Sequence, residues 1–221
     1  MKKYLLLIIP ILFFGMNILA YISRFNLLNT IQAFLNLAII VTIMIFLLKR
    51  TNLQNIMDWL VGIGFTTYIC VLYRKTIELT FFFDFAQYTP KNLSFIFYSV
   101  NIVPFKGIME VISNNPSPAF QIIGNALMLA PLAFALLYFK WVKNSKQAIF
   151  YSFLCTILIE IIQFLHNILS SAFSIGMGRS TDIDDILLNT LGAVIGVGCY
   201  KLWITLKNTL TKKNSTSYSQ I

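Results

Sequence analysis

Charge is scarce in this 221-residue chain: Asp, Glu, Lys and Arg together make up only 11% of it. Soluble domains devote about a quarter of their residues to these four types. Histidine is scarcer still, with His166 alone. A single histidine excludes an H-E-x-x-H zinc site, and neither a Ser/His/Asp arrangement nor a phosphate-binding glycine loop is present. Cys70, Cys155 and Cys199 are odd in number and lack C-x-x-C spacing. They read as small buried apolar residues, not as a disulfide framework or a thiolate metal site. No internal repeat is visible, which argues against a transporter built from inverted halves. No cofactor is expected from these patterns.

Apolar sequence fills the space instead, at 57% hydrophobic residues and a mean hydropathy of +0.75. Six runs are long enough to span a bilayer, over residues 4–22, 31–48, 57–73, 119–139, 148–168 and 184–204. The sequence therefore predicts an all-α fold, a polytopic transmembrane helical bundle of about six spans. It divides into two N-terminal helices (1–56), a membrane domain (57–205) and a basic tail (206–221). Lys2 and Lys3 ahead of the first run imitate a signal peptide. Cleavage after Ala20 would need a small residue where Ile18 stands, so an uncleaved span is expected.

The net charge of +9 would suggest nucleic acid in a soluble protein, but its distribution points to a membrane. With the N-terminus in the cytoplasm, eleven basic residues fall on the inner side and six on the outer. The positive-inside rule then places both termini in the cytoplasm. Acids fall the other way: only Asp58 is inner, six are outer, and Glu160 lies within a span. No nucleic-acid partner is expected, and the basic tail reads as a solvated end near anionic lipid.

The few polar residues of the spans are grouped. Gly178 to Gly196 reads GRSTDIDDILLNTLGAVIG, with Arg179, Asp182, Asp184 and Asp185 ahead of an apolar helix. Asp185, Asn189, Gly192 and Gly196 are spaced to share one helical face, which ends in a Gly-x-x-x-Gly step suited to close helix approach. Glu160, Gln163 and Asn167 share a face of the fifth span. Given the helix directions, Asn125, Glu160 and Asn189 should lie at similar depth in the outer leaflet, Glu160 at about 12 Å. A carboxylate there costs at least about 2.5 kcal/mol, so Glu160 should face the bundle interior, paired or protonated, with Arg179 as the nearest cation in sequence.

Three readings stay open at this level: a network that only locks helices together, a polar pocket open to the outer leaflet, and a catalytic centre. D-x-D-D offers hard oxygen ligands but lacks the Gly and Glu of an EF-hand loop, so no metal is expected. His166 reads as an interfacial polar residue. The 45-residue connection 74–118 is rich in aromatics and should hold elements lying on the outer interface. Within it, Asn101 to Phe105 suits a turn fixed by Pro104 and anchored by Phe105.

Four motifs agree in order and spacing. They are N-x-x-P-F at Asn101–Phe105; Gly124-Asn125 with an apolar run to Pro131-Leu132; Glu160-x-x-Gln163; and the long G-R-x-x-D-x-D-D-x-x-x-N-x-x-G-x-x-x-G from Gly178 to Gly196. Over about residues 57–205 the chain resembles the VanZ family of bacterial membrane proteins. It departs in the fourth span, where Ala133 and Leu129 stand in place of the family's usual Gly and Phe. The resemblance implies a multi-pass protein of the cell membrane. The family's best-known member gives resistance to teicoplanin, a glycopeptide with an acyl tail. It carries over no enzymatic role. The expected partner is a membrane lipid or a lipoglycopeptide in the outer leaflet, with envelope maintenance as the broader role. The alternative is a membrane-embedded enzyme acting on an envelope lipid, with Glu160 as acid or base.

Overall fold

The computed structural model describes residues 2–80, 96, 100–172 and 180–218, with side chains through residue 210. In hydrocarbon a backbone must satisfy its own N–H and C=O groups, so the apolar runs become helices. A short 3-10 turn (Lys2–Leu7) leads into α1 (Ile8–Ser23), followed by α2 (Leu27–Lys49) and α3 (Ile56–Thr76). Asn55 and Asp58 close the start of α3 as a capping box. Phe14, Ile40, Met44, Phe65 and Cys70 pack together between these helices. Asn36 is buried in α2, and both its amide oxygen and its amide nitrogen are hydrogen-bonded. Its Oδ1 accepts from the Tyr73 hydroxyl (2.5 Å) and the Leu79 N–H (2.9 Å), and its Nδ2 donates to the Leu79 carbonyl (2.9 Å). It ties the chain beyond α3 back to α2.

The connection after α3 brings β1 (Val100–Asn101) and α4 (Lys106–Asn114). Helix α4 buries none of its residues. Phe105, Met109 and Ile112 are exposed, while Lys106 and Glu110 pair one turn apart at 3.8 Å. That division is the pattern of an interfacial helix. The aromatic residues of 81–95 and 97–99 lie outside the described residues.

The fourth span, expected as one helix over 119–139, is broken. Helix α5 (Pro118–Met128) and α6 (Ala130–Tyr138) meet at Leu129. Pro131 has no N–H, and its ring crowds the carbonyl four residues back. The Tyr68 hydroxyl donates to the Met128 carbonyl at 2.8 Å, so α3 satisfies an acceptor at the break. Helix α6 ends in a Schellman turn. Trp141 N–H donates to the Leu136 carbonyl (2.9 Å) and Lys140 N–H to that of Leu137 (3.1 Å). Lys140 holds the left-handed position, at φ 55°, where glycine is usual.

Helix α7 (Ser145–Ala172) and α8 (Ile183–Tyr218) complete the bundle, with β2 (Thr181–Asp182) opening α8 and pairing in parallel with β1. Small residues let α6, α7 and α8 approach: Ala133, Ala148 and Ala193 are fully buried. A Cβ on Gly192 would lie 2.5 Å from the Ala126 carbonyl oxygen, and one on Gly196 closer still to that of Ala130. The Gly-x-x-x-Gly face therefore receives the broken fourth span. Cys70 is buried and Cys155 half-buried, but Cys199 is exposed on α8, contrary to the expectation of three buried thiols. A thiol is apolar enough to face lipid without a partner.

Among the described residues, six helical segments are long and apolar enough to cross a membrane: Lys2–Ser23, Leu27–Lys49, Ile56–Thr76, Pro118–Tyr138, Ser145–Ser171 and Ile183–Leu210. Large apolar side chains such as Leu12, Phe46, Leu158 and Leu202 cover their outer surfaces. The protein is a multi-pass helical membrane protein.

Candidate functional site

Two helix starts meet at one end of the bundle, and each brings N–H groups without an intrahelical acceptor. Carboxylates supply the acceptors. Asp182 caps α8: its Oδ1 accepts from the Asp184 N–H at 2.8 Å and from Asn101 Nδ2 at 2.8 Å. The N–H of Asp182 itself donates to Glu160 Oε2 of α7 at 2.9 Å. Asn101 Oδ1 accepts from the Val103 N–H at 3.1 Å, and the Lys106 N–H donates to the Val103 carbonyl at 3.3 Å, so Pro104 sits inside a tight turn.

The start of α4 has no cap of its own. Phe105 occupies the capping position in a left-handed conformation, φ 67°, and its ring can accept nothing. Asp184 supplies what is missing. Its Oδ1 accepts from the Phe105 N–H at 2.6 Å and its Oδ2 from the Ile108 N–H at 3.1 Å. Asp184 is only 2% exposed. A Cβ on Gly107 would strike the Asp182 carboxylate, so the glycine lets α4 dock this closely.

The remaining residues extend the site into the helices. Asn125 Nδ2 of α5 donates to Asp185 Oδ1. Asn189 is fully buried and donates to Thr156 Oγ1 of α7 at 2.9 Å, while its own Oδ1 has no hydrogen-bond partner among the described residues. Gln163 donates to the Thr76 carbonyl at 3.2 Å and lines a different, largely apolar cavity beside α3. His166 reaches Thr80 and so joins α7 to the chain after α3. Arg179 lies outside the described residues, as do Gly176 and Gly178.

A cavity of about 550 Å³ opens between α4, α5 and the start of α8. Asp182, Asp184 and Asp185 line it with Glu110 and Asn114 of α4, Gln121 and Asn125 of α5, and Asn115. Glu160 and Asn189 do not line it; they hold β2 and α8 from behind. Burial holds the Asp182 carboxyl above its ordinary value. Hydrogen bonds from the Asp184 N–H and Asn101 oppose this, and the charges of Asp184 and Glu110 reinforce it. The described lining carries four acids and no Lys or Arg. Such walls accept hydrogen bonds from ammonium and hydroxyl groups. Among the described residues, no group of three or more His, Cys, Asp or Glu is placed to hold a metal ion.

Sequence reasoning did not single out Gly107, Glu110, Asn114 and Gln121 in the cavity, nor Thr156 behind it. Lys106, Glu110 and Asn114 recur every four residues, which marks a polar helical face. Nothing in the sequence shows that this face looks onto the acids of α8.

No curated protein and no solved structure matches the chain. The VanZ/LLP1 family model matches residues 65–204. That stretch takes in most of α3, all of α4 to α7, the greater part of α8 and every residue of the site. It leaves out α1 and α2. With well over half of its length matched, and with the carboxylates and amides of the site inside the matched stretch, the chain belongs to the VanZ/LLP1 family.

Proposed function

We propose that the protein binds the polar head of an amphiphile in the cavity between α4, α5 and α8, at the outer face of the cell membrane. By this means it contributes to lipoglycopeptide (teicoplanin) resistance or to envelope maintenance. The acid- and amide-lined cavity carries the reading. It is polar and acceptor-rich, while Met109 and Ile112, on the other face of α4, are exposed. A ligand with amine and hydroxyl groups on its head can satisfy the walls while its tail stays in lipid. Glycopeptides with an acyl tail and lipid-linked wall precursors have this form.

Deleting and overexpressing the gene while measuring teicoplanin and vancomycin susceptibility tests the proposal. Teicoplanin should shift alone, since only it carries the tail; equal shifts for both drugs count against the reading. Asp185→Asn keeps size and hydrogen-bonding capacity while removing a cavity charge. It should accumulate to normal levels in membranes and lose the phenotype. Reduced abundance on quantitative immunoblots would return Asp185 to a purely structural role.

One observation favours an enzymatic alternative: Asp182 lines the cavity with its carboxyl raised by burial, as a proton donor to an envelope lipid would be. Envelope lipids and muropeptides that differ between the deletion strain and its parent would support this. Identical profiles would remove it.

A further inference from the structure

The opposite end of the bundle carries a second polar cavity, of about 390 Å³, with the reverse charge. Its charged lining residues are Arg50, Lys140, Lys207 and Asp58. The Asp58 carboxylate is already engaged. Its Oδ2 accepts from the N–H groups of Gln54 (2.8 Å) and Asn55 (3.2 Å), and its Oδ1 from the Tyr138 hydroxyl (3.0 Å). Arg50 lies over the Phe46 ring at 5.0 Å, a contact that leaves its charge in place. Lys140 stands at the left-handed position that would ordinarily hold glycine, and the residue lines the cavity.

An apolar groove of about 810 Å³ adjoins this cavity, between Ile56 and Met57 at the start of α3 and Leu206 and Leu210 of α8. Asn55, Tyr138, Trp203 and Lys207 line both spaces. A cationic chamber therefore opens directly into an apolar channel, with Trp203 and Tyr138 at the boundary, where such rings sit between lipid and water.

We infer that this end binds an anionic phospholipid. Its phosphodiester lies against Arg50, Lys140 and Lys207, and one acyl chain runs along Ile56 and Leu206. Three cations against one carboxylate leave a net positive lining, which supplies the charge complementarity. The groove supplies what a free phosphate could not use. The site is independent of the proposed function at the other end.

The test uses the full chain purified in detergent and exposed to vesicles of equal phosphatidylglycerol and phosphatidylcholine, with retained lipid counted by native mass spectrometry. Retention should favour phosphatidylglycerol by about tenfold. Equal retention of the two lipids overturns the inference without recourse to any variant. Glycerol phosphate should not displace the bound lipid at equal concentration; displacement would show an anion site that ignores the groove. Lys140→Gly, at a position already suited to glycine, should fold and reduce the preference several-fold, as should Lys207→Gln. A control carrying Lys143→Gln and Lys146→Gln, at the same end but outside the cavity, should keep the full preference. If the control loses as much as the cavity variants, the attraction is diffuse and the site is refuted.

Discussion

Asp184→Ala removes the carboxylate that holds the start of α4. The lost contacts are the 2.6 Å bond from the Phe105 N–H and the 3.1 Å bond from the Ile108 N–H. Hydrogen bonds to a charged group are worth about 1.5–3 kcal/mol each. Helix α4 buries none of its residues, so water can take over part of the role, and the pair is better set at about 2–4 kcal/mol. Each 1.4 kcal/mol is tenfold, so local opening should rise by about 30- to 1000-fold. Hydrogen–deuterium exchange on the full protein in nanodiscs, resolved to single amides by fragmentation, reads this directly. The amides of Phe105 and Ile108 should exchange faster by that factor, while those in the middle of α7 stay protected. Asp184→Asn keeps one acceptor and should produce roughly half the free-energy effect. Asp185→Ala breaks a side-chain contact to Asn125 and should leave both amides as they were. If exchange at Phe105 and Ile108 is unchanged in Asp184→Ala, the carboxylate does not anchor the helix and the derivation of the site fails.

Three further outcomes follow from the same geometry. Gly192→Ala puts a methyl against the Ala126 carbonyl oxygen and should destabilise the bundle by about 1–3 kcal/mol in detergent unfolding. Gly124→Ala meets nothing within 4 Å and should be neutral or stabilising by up to about 1 kcal/mol; equal effects would refute the close approach. Burial holds Asp182 above its ordinary 3.8, so the folded chain keeps this proton to higher pH than the unfolded chain. The associated stability is full below 3.8 and is lost as pH rises through the folded value. Asp182→Asn should flatten that segment of a stability–pH curve. Glu78, also raised by burial, contributes in the same direction and stays in place, so an unchanged curve would assign the whole effect elsewhere. In a background without native thiols, a cysteine at Asn115 should label with an impermeant reagent from outside and one at Asn144 should not; reversed labelling would invert the proposed orientation.

The spans were legible in the sequence because each is a long, predominantly apolar run, and the acids of the site stood out because the chain has so few. The break at Leu129 was visible only as Pro131, since its stabilising partner, the Tyr68 hydroxyl, comes from another helix. The carboxylates' partners were hidden for a different reason. Asp184 binds the N–H groups of Phe105 and Ile108, and every residue type except proline offers that donor, so no side-chain pattern announces it. The sequence suggested the cation Arg179 as the partner of Glu160; Arg179 lies outside the described residues, and one described contact of Glu160 is the backbone N–H of Asp182, which no side-chain pattern announces either. Glycine spacing showed that a helix would approach α8, and could not say which one.

The two-residue pairing of β1 with β2 has a consequence for biosynthesis. Its strands lie about 80 positions apart, with two complete spans made between them. The ribosome releases the start of α4 long before residue 184 exists, so the N–H groups of Phe105 and Ile108 wait without their acceptor while the fourth and fifth spans insert. The site thus closes last, after the sixth span has entered the membrane. A chain truncated before β2 would leave α4 uncapped and the Asn101 amide without Asp182, an incomplete state exposed to misassembly.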